Sequence, residues 1–172
     1  MHDRYGMPDV LRIVDVPAPS PGPGQVLVEV RATSVNLSDW EFLRGRPAYA
    51  RFGGLTRPRR RILGSDIAGV VAAVGEGVTS FAVGDEVYGD NLALRGGFAE
   101  LAVVPETALA VKPPELSFVE ASALPQSGAI ALQAVALAAP GDRVLINGAG
   151  GGTGTLAIQL AVRAGMRVTG VD

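Results

Sequence analysis

The residues best placed for chemistry lie late in the chain, in the run Asn147-Gly148-Ala149-Gly150-Gly151-Gly152-Thr153-Gly154. Positions without a Cβ let a strand turn sharply, let backbone amides approach a diphosphate, and let the next helix pack close to the strand. A helix N-terminus behind them adds free N–H groups and a partial positive charge. The run contains Gly148-x-x-Gly151-x-x-Gly154 and Ala149-x-Gly151-x-x-Gly154, not a strict G-x-G-x-x-G. Asp172 stands 18 residues beyond Gly154, at the end of the next apolar run. A carboxylate there would hydrogen-bond a ribose 2′-hydroxyl and repel a 2′-phosphate. This order predicts cofactor binding by Gly148, Ala149, Gly150, Gly151, Gly152, Thr153, Gly154 and Asp172. Gln126, on a helix interrupted by Pro125, reads equally as a residue that reaches the same cofactor and as a solvent-facing amide. A purely structural turn is the competing reading of the glycines.

Composition narrows what else is possible. The 172 residues include no cysteine and one histidine, His2. Disulfides, thiolate metal sites and cysteine nucleophiles are excluded, and a histidine-rich metal site is not expected. Apolar side chains make up 48% of the chain and the net charge is −2, which excludes intrinsic disorder. The most apolar stretch, 121–139, is interrupted by Pro125, Gln126, Ser127 and Gln133, so no membrane span and a cytoplasmic location are expected. A cluster of arginines between Arg44 and Arg61 lacks the recognised motif of a nucleic-acid surface; it reads as a solvated loop, or as a rim attracting anions.

The elements that must position these groups change character along the chain. Residues 10–115 read as short strands: Val10 to Val16, Gln25 to Val35, Ile67 to Val74, Glu86 to Tyr88, Phe98 to Val104 and Ala108 to Val111. Their spacing predicts a small barrel or sandwich. Lys112-Pro113-Pro114 marks a boundary. Ser117 and Glu120 have the form of a capping box before helical sequence that extends to about Ala139 and breaks near Pro125. Strand 143–147, the glycine turn, helix 155–164 and strand 166–171 then make one βαβ unit. Domains over 1–115 and 116–172 are expected, the second incomplete.

The stretch from Leu145 to Ala161 resembles the nucleotide-binding signature of the medium-chain dehydrogenases/reductases, most closely their quinone oxidoreductase (zeta-crystallin-like) branch. Ser34-Val35-Asn36-Leu37-Ser38-Asp39 resembles that branch's S-V-N-x-x-D motif. Leu63-Gly64-Ser65-Asp66-Ile67-Ala68-Gly69 resembles L-G-x-D-x-A-G, and Val83 to Gly89 resembles its G-D-x-V-x-G strand. The likeness runs through essentially the whole chain in order. It implies a mixed β and α/β fold: a GroES-like β-barrel followed by the opening of a Rossmann domain. It implies NAD(P)H-dependent reduction of quinones or enones, a small-molecule substrate, a homodimer at full length, and Asn36 and Asp39 at the catalytic cleft. Asp39, or Ser38, equally reads as a cap of the helix through Trp40.

Zinc-dependent relatives carry Cys near the position of Asn36 and Gly-His-Glu where Gly64-Ser65-Asp66 stands, so a zinc-independent enzyme is expected. The choice between NAD and NADP stays open. So do two alternatives: an alcohol dehydrogenase-like enzyme, or a non-catalytic GroES-like binding module. A chain ending at Asp172 is expected to be part of a longer protein and inactive alone.

Overall fold

Val26 and Val28 alternate with Leu27 and Glu29, and this period of two builds β1, Gln25–Thr33. In the computed structural model, which describes residues 1–172, β1 pairs with β2 (Asp66–Val74) and β4 (Leu101–Pro105), while β2 also pairs with β3 (Glu86–Asp90) and β3 with β5 (Leu109–Val111). Every pair is antiparallel, and the order is β4-β1-β2-β3-β5. Val26, Val28, Ile67, Val71, Val87, Ala102 and Val104 form the core, none more than 2% exposed. Leu109 of β5 packs on the same cluster as Val104 of β4. Both edge strands feed one core, so the sheet curls around it. Register shifts within β1, between Leu27 and Val28 and between Val30 and Ala32, are bulges that sharpen this bend.

Two short helices complete this unit. α1 spans Leu37–Arg44. α2, Phe118–Ser122, packs against β1, β2 and β3. The expected capping box opens α2: the Glu120 carboxylate accepts from the Ser117 amide at 2.8 Å and hydroxyl at 2.7 Å, and the Ser117 hydroxyl accepts from the Glu120 amide at 3.2 Å. The segment leading to α2 is held by Lys112, whose ammonium donates to the carbonyls of Pro113 at 3.0 Å and Leu116 at 2.6 Å and meets Glu86 Oε2 at 2.9 Å. Its side chain is 4% exposed. An ammonium has three protons, and all three are answered.

The chain divides into two units, Met1–Ser122 and Ala123–Asp172. The second holds α3 (Pro125–Val135), β6 (Arg143–Asn147), α4 (Gly152–Arg163) and β7 (Arg167–Val171). β6 and β7 are parallel, in register from Arg143 opposite Arg167 to Asn147 opposite Val171. Their crossover is α4, as the βαβ pattern predicts. α3 packs on α4, and Ala131, Ala157 and Ala161 are buried.

Three expected elements differ. Val10 to Val16 alternates, yet no strand forms there; the amides of Val10 and Leu11 turn back to Met7 and Pro8, Arg12 exchanges two bonds with Met1, and Ile13 is fully exposed. Alternation supplies a face but not a partner, and four prolines between Pro17 and Pro23 withdraw donors directly afterwards. The helical sequence after Ser117 breaks at Pro125 as expected, since Pro125 cannot donate within a helix and instead starts α3, but it ends at Val135 and not near Ala139. The strand expected from Phe98 begins only at Leu101. No helix is long and apolar enough to cross a membrane.

Candidate functional site

The first candidate site lies where β1 ends, α1 begins and β2 begins. Asn36 is the N-cap of α1, and Asp39 stands at its third position. The two form a reciprocal capping box, with the Asp39 Oδ2 accepting from the Asn36 amide at 2.9 Å. Asp39 Oδ1 accepts from the Gly64 amide at 2.9 Å, tying α1 to the turn before β2. Asp39 is 3% exposed. Burial raises its pKa above the usual carboxylate range, opposed by the amides of Asn36 and Gly64 and by the Arg95 guanidinium. The cap is thus built from Asn36 and Asp39 together, and Ser38 is not the capping residue.

Asn36 reaches a second network through its side-chain nitrogen. Nδ2 donates to Asp66 Oδ2 at 3.0 Å, to Ser65 Oγ at 3.3 Å and to Ser34 Oγ at 3.4 Å. The Ser34 hydroxyl also donates to Asp66 Oδ2, at 3.1 Å. Ser65 and Asp66 are fully buried, whereas Ser34 and Asn36 are half-buried. The result is a polar knot with a buried carboxylate at its base and an amide and a hydroxyl toward its open side. It can orient a polar group on a ligand and hold a proton among its oxygens.

Ser34, Ser65 and Asp66 were not picked out individually from the sequence. A carboxylate at the first position of an otherwise apolar strand was the available signal, since an acid so placed must be paired if it is buried. The Tyr49 hydroxyl donates to Glu41, and that bond raises its pKa. Tyr88 sits mid-strand opposite Ala110.

The donor set of the knot does not suit zinc. Asn36 turns an NH2 group toward Ser65 and Asp66, which leaves one carboxylate as the only anionic donor. Zinc sites take imidazole, thiolate and carboxylate ligands. These residues do not fit it.

The second candidate site is the glycine loop, wholly within the second unit. The amides of Gly148 and Ala149 donate to the Val171 carbonyl at 2.8 and 3.0 Å, clamping the loop to the end of β7. Gly148 has φ +80, in the left-handed region. A Cβ on Gly154 would come within 2.1 Å of the Gly148 carbonyl oxygen, so that approach of helix to loop requires glycine. Gly151 is the N-cap of α4 with an ordinary φ of −76, and its Cβ would meet only the Gly148 oxygen, at 3.4 Å. The amides of Gly152, Thr153 and Gly154 in the first turn of α4 make no backbone hydrogen bond, and Gly151 supplies no side-chain cap. The Asp172 carboxylate lies over Gly150, where a Cβ would come within 2.4 Å of Oδ2. Gln126 stands in the first turn of α3, next to Ser127, whose hydroxyl would be 3.0 Å from a Cβ on Gly152. A Cβ-free surface, open helix amides and an acid at the strand tip fit a dinucleotide diphosphate and its adjoining ribose.

Residues 22–115 match the family model of the alcohol dehydrogenase GroES-like domain. The chain is 38% identical to a 2-methylene-furan-3-one reductase of Solanum lycopersicum, over 91% of this chain and 42% of that protein. The structure of a quinone oxidoreductase from Coxiella burnetii superposes with a TM-score of 0.90 at 34% identity, covering 98% of this chain and 54% of the other. A mycobacterial protein complexed with NADPH gives a TM-score of 0.83 at 32% identity, over 99% and 52%. The chain therefore spans about half the length of the relatives it matches. With more than half of its residues inside that family model and nearly all of it superposed on solved relatives, this chain belongs to the alcohol dehydrogenase GroES-like family of the medium-chain dehydrogenases/reductases.

Proposed function

We propose that the protein is a nicotinamide-dinucleotide-dependent reductase of quinones and enones, to which this chain contributes a substrate-side domain, residues 1–115, and the opening of a dinucleotide domain, residues 116–172. The observation that carries the reading is the Gly148–Gly154 loop, clamped to β7 with its helix amides open and the Asp172 carboxylate at its side. Relatives named as a quinone oxidoreductase and a furanone reductase, and one solved with NADPH, support the same reading.

A bound reduced nicotinamide would supply the hydride. The chain's own part is to hold and orient. The amides of Gly152, Thr153 and Gly154 would take the diphosphate. Asp172 would accept from a ribose 2′-hydroxyl and disfavour a 2′-phosphate. Asn36 and Ser34, held by Asp66, would orient the substrate oxygen while solvent or the hydroxyl network returns a proton. Such a reduction needs no Lewis acid. Asn36 acts at the substrate; Asp39 and Asp66 act as positioning residues through it.

Titrating NADH and NADPH into the full-length protein tests this. Gly151→Val should weaken both by about tenfold or more, with little change in their ratio, because both share the diphosphate. Gly151 has an ordinary φ and its Cβ would meet the Gly148 oxygen at van der Waals distance, so the loop itself stays intact. Asp172→Ser should instead shift the ratio toward NADPH. If Gly151→Val binds both cofactors as tightly as the parent, the loop is only a turn.

A further inference from the structure

Residues 44–61 hold seven arginines and no acidic side chain, in a chain whose net charge is −2. Several of the seven are engaged locally. Arg44 lies over the Trp40 ring, Arg51 donates to the carbonyls of Gly45 and Leu55, and Arg61 pairs with Asp3. Arg57, Arg59 and Arg60 have neither an ion pair nor a hydrogen bond within the chain. Arg57, Arg59 and Arg61 line a cavity of about 590 Å³ together with Pro58 and Asp3. Asp3 is shared between Arg12 and Arg61, so it fixes Arg61 in the wall while cancelling one charge.

We propose that this groove binds the phosphate group of a small molecule. Three guanidinium groups against one carboxylate leave a charge of +2 around the cavity, the complement of a phosphate dianion. Guanidinium forks match phosphate oxygens in pairs, and Arg57 and Arg59 have all their donors available. Pro58 fixes the backbone between those two, which reduces the ordering that binding requires. The concave shape and the carboxylate in the wall suit a compact anion. A lipid surface or a nucleic-acid duplex would lay a continuous negative face against Asp3. The groove is built from residues of the first unit and the glycine loop from residues of the second, so the inference does not depend on the reductase reading.

Calorimetric titration of the full chain with inorganic phosphate at low ionic strength tests it. The parent should show one saturable groove site. Arg57→Gln/Arg59→Gln should raise its dissociation constant by about tenfold or more. Arg46→Gln removes equal charge per site from the same exposed stretch without touching the groove, and should stay within about twofold. Gly151→Val should also leave this site within about twofold, since it alters only the glycine loop. Four results would overturn the proposal: no saturable binding by the parent, an equal loss in Arg46→Gln, loss only in Gly151→Val, or sedimentation with phosphatidylserine vesicles without phosphate binding. Circular dichroism of each variant confirms that these exposed changes keep the fold.

Discussion

The two units of the chain use the same apolar residue types to different ends. Met1–Ser122 buries Val26, Val28, Ile67, Val71, Val87 and Val104 almost completely. In Ala123–Asp172 the buried apolar side chains are Ala131, Ala157, Ala161 and Met166, while Leu145 is 67% and Leu137 89% exposed. The antiparallel sheet closes a core because the later strands β4 and β5 return to its two edges and both edges curl onto one cluster. A parallel pair needs cover on both faces before its Val, Leu and Ile residues leave water. Apolar content alone therefore does not make a core; connectivity decides which side chains meet. The glycine loop stands on the less buried unit, and the polar knot on the more buried one.

The sharpest way to break this comparison is Ile67→Ala. Ile67 is fully buried in the shared cluster, so the variant should lose about 2–5 kcal/mol, read as a lower denaturant midpoint of the first unit. A loss under about 1 kcal/mol would mean that the cluster is not a packed core. Next is Asp39→Ala, which strips acceptors from the amides of Asn36 and Gly64. A loss of about 2 kcal/mol is expected, with the N-terminal turn of α1 losing amide-exchange protection first.

His2 gives the pH dependence. It is 1% exposed, both ring nitrogens lack a hydrogen-bond partner, and burial lowers its pKa, helped by the nearby terminal amine and Arg95 and opposed by the Arg61 backbone. The unfolded chain therefore takes up the proton first. Stability is whole above pH 6.5 and falls as the pH drops below it, by at most about 1.4 kcal/mol per pH unit. His2→Phe should flatten that slope in urea titrations at pH 5 and 7; an unchanged slope would remove His2 as its source. The smallest effect belongs to Leu145→Ala. In the 172-residue chain it should change stability by no more than about 0.5 kcal/mol, because Leu145 already faces water. A larger loss would show that the second unit does hold a core.

What the sequence revealed followed the range of the interaction involved. The period-two runs of β1 and β2, the Ser117–Glu120 box and the strand-turn-helix-strand order are local, and each is present. Val10 to Val16 has the local pattern but no partner strand, which no local signal could reveal. The site divides the same way. The glycine loop is contiguous and was legible. The knot joins Ser34 and Asn36 to Ser65 and Asp66 across about 30 residues, so its carboxylate became visible only when β1 and β2 were paired. The burial of His2 was equally hidden, because it depends on a backbone bond from its amide to Arg61.

The buried Lys112 has a consequence for reagent chemistry. It is the chain's one lysine, and its ammonium is enclosed by two carbonyls, Glu86 and the ring of Phe118. An acylating reagent needs a free amine lone pair with room around it, and Lys112 offers neither while folded. The terminal amine of Met1 is exposed, and its pKa is lowered. Amine-directed dyes and cross-linkers should therefore mark this chain once, at its first residue. A second mark would report that the segment between β5 and α2 has opened.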